Sequence, residues 1–330
     1  MLSFSLMSEP KISRSNCISV NEYPGGVLCV DSGFVRDRMA SCYLLESDSE
    51  VAIIETGTNS SAQRLKEVIR VRGWDKSAVR YVIVTHVHLD HAGGAGALMQ
   101  EFSDATFLVH PRGAAHMIDP ARLEASVRRV YGDETFDATY GTLIPINEKR
   151  VRIMEDGDCV QLGDRELLFI DTPGHARHHF CIWDEKTRGW FTGDTFGLSY
   201  RELDTVNGAF IFPTTTPIEF DPEALKHSIS RLVDKNPESM YLTHYGRVDN
   251  VATLAEQMMQ GIDAIVEIAE RNQHCEDFGV QFKREFTTWL TESIRAHGVT
   301  LDESALQKVL LPDIDLNTQG VEVWLNRREK

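Results

Sequence analysis

The segment Thr85-His86-Val87-His88-Leu89-Asp90-His91-Ala92-Gly93-Gly94 constrains this chain more than any other. It follows directly on the apolar run Tyr81 to Val84, which is of strand-forming type, and a helix is expected to begin near Gly93. In extended backbone alternate side chains share a face, so His86 and His88 point the same way, while Asp90 and His91 lie where the chain turns. One turn therefore offers two separate groups of imidazole and carboxylate donors, types that suit zinc, iron or manganese. With 12 His in 330 residues, independent placement gives on the order of 10⁻³ matches to HxHxDH. Coincidence is a poor account of the motif.

Three later segments repeat the arrangement of strand, turn and ligand-type residue. Leu167 to Ile170 leads into Thr172-Pro173-Gly174-His175, Trp190 and Phe191 lead into Thr192-Gly193-Asp194, and Met240 to Leu242 leads into Thr243-His244. Taken singly, each of His175, Asp194 and His244 reads as an ordinary polar residue. Taken together with the first motif, they bring ligands from distant sequence to one edge of a sheet, where loops form the binding face.

The rest of the chain fits that frame. Short β-type runs continue to about residue 250, among them Val27 to Val30, Cys42 to Leu45, Val51 to Ile54, Thr106 to Val109 and Phe180 to Trp183. Between them, Ser60 to Arg72 and Pro222 to Lys235 carry apolar residues at helical spacing, with Ser60 and Asp221 as expected N-caps. The class is α/β with a mixed sheet or two sheets. Residues 119–150 read as a partly helical insertion and a possible lid. After Asn250 the pattern is amphipathic helix, best over Val251 to Asn272, Phe278 to Ala296 and Glu303 to Leu310. The expected division is an α/β domain over 1–250 that carries the ligand-type clusters and a helical extension over 251–330.

Charge narrows the partners. Against 50 Asp and Glu stand 34 Lys and Arg, a net charge of −16, and such a surface repels nucleic-acid phosphates. A small-molecule substrate is expected, with no nucleic acid and no membrane. No apolar run reaches the ~20 residues of a bilayer span, and Met1 to Pro10 lacks the basic start of a signal peptide. Six widely spaced cysteines form no CxxC pair and read as reduced and mostly buried, which points to the cytoplasm.

In its HxHxDH, His175, Asp194 and His244 elements the chain resembles the metallo-β-lactamase-fold superfamily, and within it the branch of hydroxyacylglutathione hydrolase (glyoxalase II). The resemblance covers about residues 20–250. It implies a four-layered αββα sandwich with the site at one edge. It also implies His86, His88 and His175 on one ion, Asp90, His91 and His244 on another, and Asp194 bridging both. Two divalent transition-metal ions per chain are expected, zinc first, with iron or manganese as alternatives.

Departures from the pattern limit what carries over. True β-lactamases of this fold usually have Cys where Asp194 stands, and Glu55 occupies a position usually held by Asp. The tail shows no obvious basic residues for holding glutathione. Where quorum-signal lactonases carry a catalytic Tyr, three residues after the bridging Asp, this chain has Gly197. Tyr200 and Tyr245 are the substitutes to consider, and His179, four after His175, is a candidate for orienting a ligand. His110, Arg112 and His116 read as a helix cap rather than site residues. Phe210 to Pro217 suits a rigid pocket wall or an ordinary buried loop.

The expected chemistry is hydrolysis of a small carboxylic ester, thioester or lactone by a metal-bridging hydroxide, with catalytic roles for Asp90 and Asp194. S-glutathionyl thioesters are not expected to be preferred. A small phosphodiesterase, a di-iron oxygen or redox protein, and a metal-containing regulatory protein are the alternatives. Phe282, Phe286, Trp289, Leu290 and Ile294 in the tail need an apolar surface to bury. A homodimer is one way to supply it, and packing within the chain is the other.

Overall fold

A strand in the middle of a layered sandwich has to be apolar on both faces, and the central strands here are. The computed structural model describes residues 18–215 and 219–328. The expectations for Met1 to Pro10, Cys17, Thr216 and Pro217 lie outside the described residues. One sheet holds seven strands in sequence order: β1 (Val20–Tyr23), β2 (Val27–Asp31), β3 (Ser41–Ser47), β4 (Glu50–Ile54), β5 (Val79–Ile83), β6 (Thr106–Val109) and β7 (Val151–Ile153). The first four are antiparallel, and β4 to β7 are parallel. The other sheet holds six: β8 (Cys159–Leu162), β9 (Arg165–Asp171), β10 (Phe180–Asp184), β11 (Gly189–Gly193), β12 (Ser239–Leu242) and β13 (Gly246–Val248), again in sequence order. Only the β11–β12 pair is parallel.

Parallel neighbours need crossovers, and helices provide them. They are α1 (Asn59–Val71), α2 (Leu89–Ala92), α3 (Ala95–Glu101), α4 (Pro111–Ile118), α5 (Ala121–Tyr131), α6 (Asp133–Thr139) and α7 (Pro222–Val233). After β13 come α8 (Val251–Asn272), α9 (Phe278–Ala296) and α10 (Glu303–Arg328).

Strand alternation sorts the side chains into three apolar layers. Tyr43, Leu45, Ile54 and Ile83 of the first sheet meet Phe169, Phe180, Phe191 and Tyr241 of the second. Their strand neighbours Leu44, Ile53 and Val82 join Leu65 and Ile69 of α1 and Leu98 of α3 on the outer side. Beyond the second sheet, Trp190, Met240 and Leu242 pack with α7 through α10. Helix, sheet, sheet, helix is the four-layered αββα sandwich that the resemblance implied.

Some boundaries differ from expectation. Thr58, not Ser60, caps α1, and its N–H donates to Ser61 Oγ at 3.1 Å. Asp221 caps α7 as expected, accepting from the Ala224 N–H at 3.1 Å. The helix expected near Gly93 starts earlier, at Leu89 with His88 as its N-cap, so Asp90 and His91 sit in a first helical turn. The last helix runs through Pro312 to Arg328 instead of ending at Leu310, because Ile314, Val321 and Trp324 keep returning to the sandwich side. The insertion packs Phe136 and Leu143 on Leu89, between two of the motif residues. Phe282, Phe286, Leu290 and Ile294 are buried within the chain itself. Their burial therefore gives no argument for a second subunit. Among the described residues no helix is long and apolar enough to cross a membrane.

Candidate metal centre

The seven histidines and aspartates emerge just past the ends of β5, β9, β11 and β12 and converge. His86, His88, His175 and Asp194 form one group, and Asp90, His91 and His244 another, each with ligand atoms within 4.8 Å of one another. Asp194 faces both. Its Oδ2 is 3.2 Å from His175 Nε2, and its Oδ1 lies 3.4 Å from His91 Nε2 and 3.6 Å from His244 Nε2. Asp90 Oδ2 is 3.5 Å from both His91 Nε2 and His244 Nε2. His88 Nδ1 is 2.8 Å from His86 Nε2 and 3.3 Å from His175 Nε2.

These separations test whether the residues suit a metal. A tetrahedral ion with bonds of about 2.0–2.1 Å holds its ligands about 3.3–3.4 Å apart, and most of the contacts on both sides of Asp194 scatter around that edge. His91 Nε2 and Asp194 Oδ1 are buried with no hydrogen-bond partner among the described residues. Bare groups in that state are costly, whereas an ion between them would satisfy both. The donor set fits a divalent transition metal on each side of Asp194.

On three of the histidines the other ring nitrogen is held by an oxygen atom, which fixes the tautomer with its free lone pair toward the cluster. His86 Nδ1 is 3.0 Å from Thr85 Oγ1, His244 Nδ1 is 2.8 Å from the Met39 carbonyl, and His175 Nδ1 is 3.3 Å from the Thr214 carbonyl. His91 Nδ1 lies 3.4 Å from Glu55 Oε1, which also accepts from Thr85 Oγ1 at 2.5 Å and Thr243 Oγ1 at 3.4 Å. Glu55 thus reaches both groups. His179 contacts the Asp194 segment through its backbone: its Nε2 accepts the Asp194 N–H at 3.2 Å, and its Nδ1 meets Thr172 Oγ1 at 2.9 Å. Gly193 (φ +49°) is required there, since a Cβ would run into Thr85 Oγ1 and His179 Nε2.

Electrostatics split the two groups. Burial, aided by the neighbouring imidazoles, holds His86 and His88 well below the usual histidine range. Burial also lowers His175 against the pull of Asp194. Around His91 and His244 burial again favours the neutral ring, but Asp194 and Asp90 outweigh it and raise both. Burial works against ionising Asp194, yet His91, His244 and His175 hold its carboxyl well below the ordinary value. Asp90 is the more open carboxylate, with 23% of its side chain exposed against 7% for Asp194.

All seven residues expected as ligands are brought together, and Glu55 and His179 stand behind them. Tyr200 and Tyr245 are buried. The Tyr200 hydroxyl donates to Asp313 Oδ2 at 3.0 Å, while the Tyr245 hydroxyl has no partner among the described residues. His110 caps α4, accepting the Arg112 N–H at 3.1 Å, and its Nε2 lies 2.9 Å from Asp171 Oδ1. The sequence reading missed Thr85 as a support, and Met39 and Thr214, which act through carbonyls that no side-chain pattern reveals. It also missed Asp313, although a charged residue amid the apolar helical run was a visible signal.

Comparison with known proteins gives the same picture. A family model of the metallo-beta-lactamase superfamily matches residues 35–244. A metallo-beta-lactamase fold-containing protein of Sulfurisphaera tokodaii is 28% identical over 64% of this chain and 74% of its own. The solved structure of that archaeal protein aligns with a TM-score of 0.59 at 21% identity, covering 95% of this chain and 100% of that one. An acyl-coenzyme A thioesterase of Gallus gallus is 32% identical over 51% of this chain and 62% of its own length. A hydroxyacylglutathione hydrolase of a Methylobacterium species is 28% identical over 62% of this chain and 64% of its own.

Proposed function

Because the chain belongs to the metallo-beta-lactamase superfamily, we propose that it is a two-ion hydrolase of a small carboxylic ester, thioester or lactone, with zinc the first metal to test. The observation that carries this reading is the placement of Asp194, whose two carboxylate oxygens face two separate sets of ligands. His86, His88 and His175 on one side and Asp90, His91 and His244 on the other, with Asp194 between them, would hold two divalent ions, which would supply a Lewis acid and a water of pKa lowered from 15.7 toward ~7. The chain's own residues do the rest. Asp90, the open carboxylate, takes up the proton released from the attacking water, and Glu55 and Thr85 keep His91 and His86 turned inward.

No side-chain nucleophile is called for. Cys181 is pinned between Thr172 Oγ1 and the Thr192 carbonyl, and burial pushes its thiol up to about 12. The five described cysteines are free thiols, which supports the reading of a cytoplasmic enzyme. The relatives named as an acyl-coenzyme A thioesterase and a hydroxyacylglutathione hydrolase make thioesters the class to test first.

The test is a panel of carboxylic esters, thioesters, lactones and small phosphodiesters presented to metal-loaded protein. Turnover of at least one carbonyl substrate, lost on chelation and on Asp194→Ala, is expected. Turnover of phosphodiesters alone, or oxygen consumption with an electron donor, would overturn the carbonyl assignment.

A further inference from the structure

One turn of the C-terminal helix reaches toward both halves of the metal centre. Asp313 and Asn317 are four residues apart on α10 and so share a face, and both are buried, at 4% and 0% exposure. Asp313 Oδ2 accepts the Tyr200 hydroxyl at 3.0 Å. The residue before Tyr200, Ser199, donates its N–H to the carbonyl of His244 at 2.6 Å. Asn317 Oδ1 accepts the Thr215 N–H at 3.0 Å, and the Asn317 carbonyl accepts Thr215 Oγ1 at 3.2 Å. The residue before Thr215, Thr214, presents the carbonyl that faces His175 Nδ1 at 3.3 Å. Asn317 Nδ2 completes the unit by donating to the Asp313 carbonyl at 2.8 Å.

Polar side chains on the buried face of a helix destabilise it unless they are hydrogen-bonded. Here each bonds to a residue adjoining one that holds a ligand histidine, and the two chains of contacts end on opposite sides of Asp194. We propose that Asp313 and Asn317 are positioning residues for the metal centre: Asn317 sets the His175 ring through Thr215 and Thr214, and Asp313 sets the His244 backbone through Tyr200 and Ser199. The inference rests on the two-ion reading of the centre. It makes the helical extension part of the site's machinery, not only a cover for the second sheet.

Metal binding tests it without any substrate. The metal-free full chain is titrated with cobalt(II) alone and followed by visible absorption, with His175→Ala and His244→Ala assigning the two binding steps. Removing an outer hydrogen-bond partner of a metal ligand typically weakens binding about 10–100-fold. Because Asn317 and Asp313 act one residue further out, Asn317→Ala is expected to weaken the His175 step by up to about tenfold and leave the His244 step unchanged, and Asp313→Leu the reverse. Tyr200→Phe cuts the Asp313 contact from its other end, and Thr215→Val removes the hydroxyl that bonds the Asn317 carbonyl, the second tie between the same two residues, in case a helix variant fails to fold. Asp313→Asn keeps an oxygen for the Tyr200 hydroxyl and is expected to bind like the parent. Variants that leave both steps unchanged, or weaken both equally, would overturn the positioning roles while the two-ion reading stands. A parent chain that binds fewer than two ions would overturn that reading and this inference with it.

Discussion

Glu55 sits in the left-handed backbone region, at φ +65°, where a side chain costs about 1–2 kcal/mol. Such strain is tolerated when the surroundings over-determine the residue, and Glu55 is held by Thr85 and Thr243 while it faces His91. The sequence marked it as a departure from the usual Asp, and the longer carboxylate faces His91 directly and meets the His86 side through Thr85. Glu55→Gln keeps the shape and removes the charge opposite His91 Nδ1. It is expected to weaken the ion on the His91 side about 10–100-fold, measured by competition with a chromogenic chelator; unchanged affinity would make Glu55 a packing residue. Asp194 allows a sharper contrast. Asp194→Ala is expected to deplete both ions and His244→Ala mainly one, read as metal per chain in native mass spectrometry. Equal losses from the two variants would contradict Asp194 as the shared ligand. The clustering was legible because few side-chain types bind such ions and these recur after strand-like runs, and the resemblance implied how they would be shared. The supports from Met39 and Thr214 were not, because any residue supplies a carbonyl.

Among the elements, the turns matter as much as the strands that precede them. Gly174 (φ +130°) brings the His175 loop against α7 so closely that a Cβ would collide with the backbone of Leu225. Gly174→Ala is expected to push His175 out of line and empty the His86–His88–His175 side first; metal content equal to the parent's would refute this. The central strands were legible from their apolar runs. β1, β7, β8 and β13 were not, being three or four residues long and only partly buried in the first three, too short for an alternation pattern to register. The continuation of α10 was also missed, because Pro312 reads as a stop while tertiary packing carries the helix on. Asp313 within it has a pH signature. Burial raises its carboxyl to about 6 despite His244, Arg36 and the Tyr200 hydroxyl, with Asp194 adding to the rise. The folded state thus holds this proton where the unfolded chain has released it, so stability from this group falls as pH rises from about 4 to about 6, by about 3 kcal/mol. Asp313→Asn removes that loss. In urea unfolding of metal-free protein the variant should gain on the parent across this range, and parallel curves would refute the assignment.

At the scale of the molecule, the division at residue 250 expected from the pattern change meets a single apolar layer that crosses it. Trp190, Met240 and Leu242 of the second sheet share one cluster with Ile262 and Ile265 of α8, Phe282, Phe286 and Leu290 of α9 and Val321 of α10. Each such side chain contributes about 1.5–3 kcal/mol on burial, so separating the extension would forfeit burial energy at least comparable to the 5–15 kcal/mol that usually stabilises a domain. The sequence showed that the tail had an apolar face to bury, but helical periodicity says only that a face exists, not which surface meets it. Since α10 reaches the His175 and His244 segments through Asn317 and Asp313, loss of the tail would reach the metal centre as well. The full chain is therefore expected to unfold in one calorimetric transition, with equal van't Hoff and calorimetric enthalpies, and bound metal should raise its midpoint. Residues 1–250 expressed alone are expected to aggregate and to bind no metal stoichiometrically. Two resolved transitions, or a soluble 1–250 fragment that retains both ions, would show that the sandwich stands without the extension.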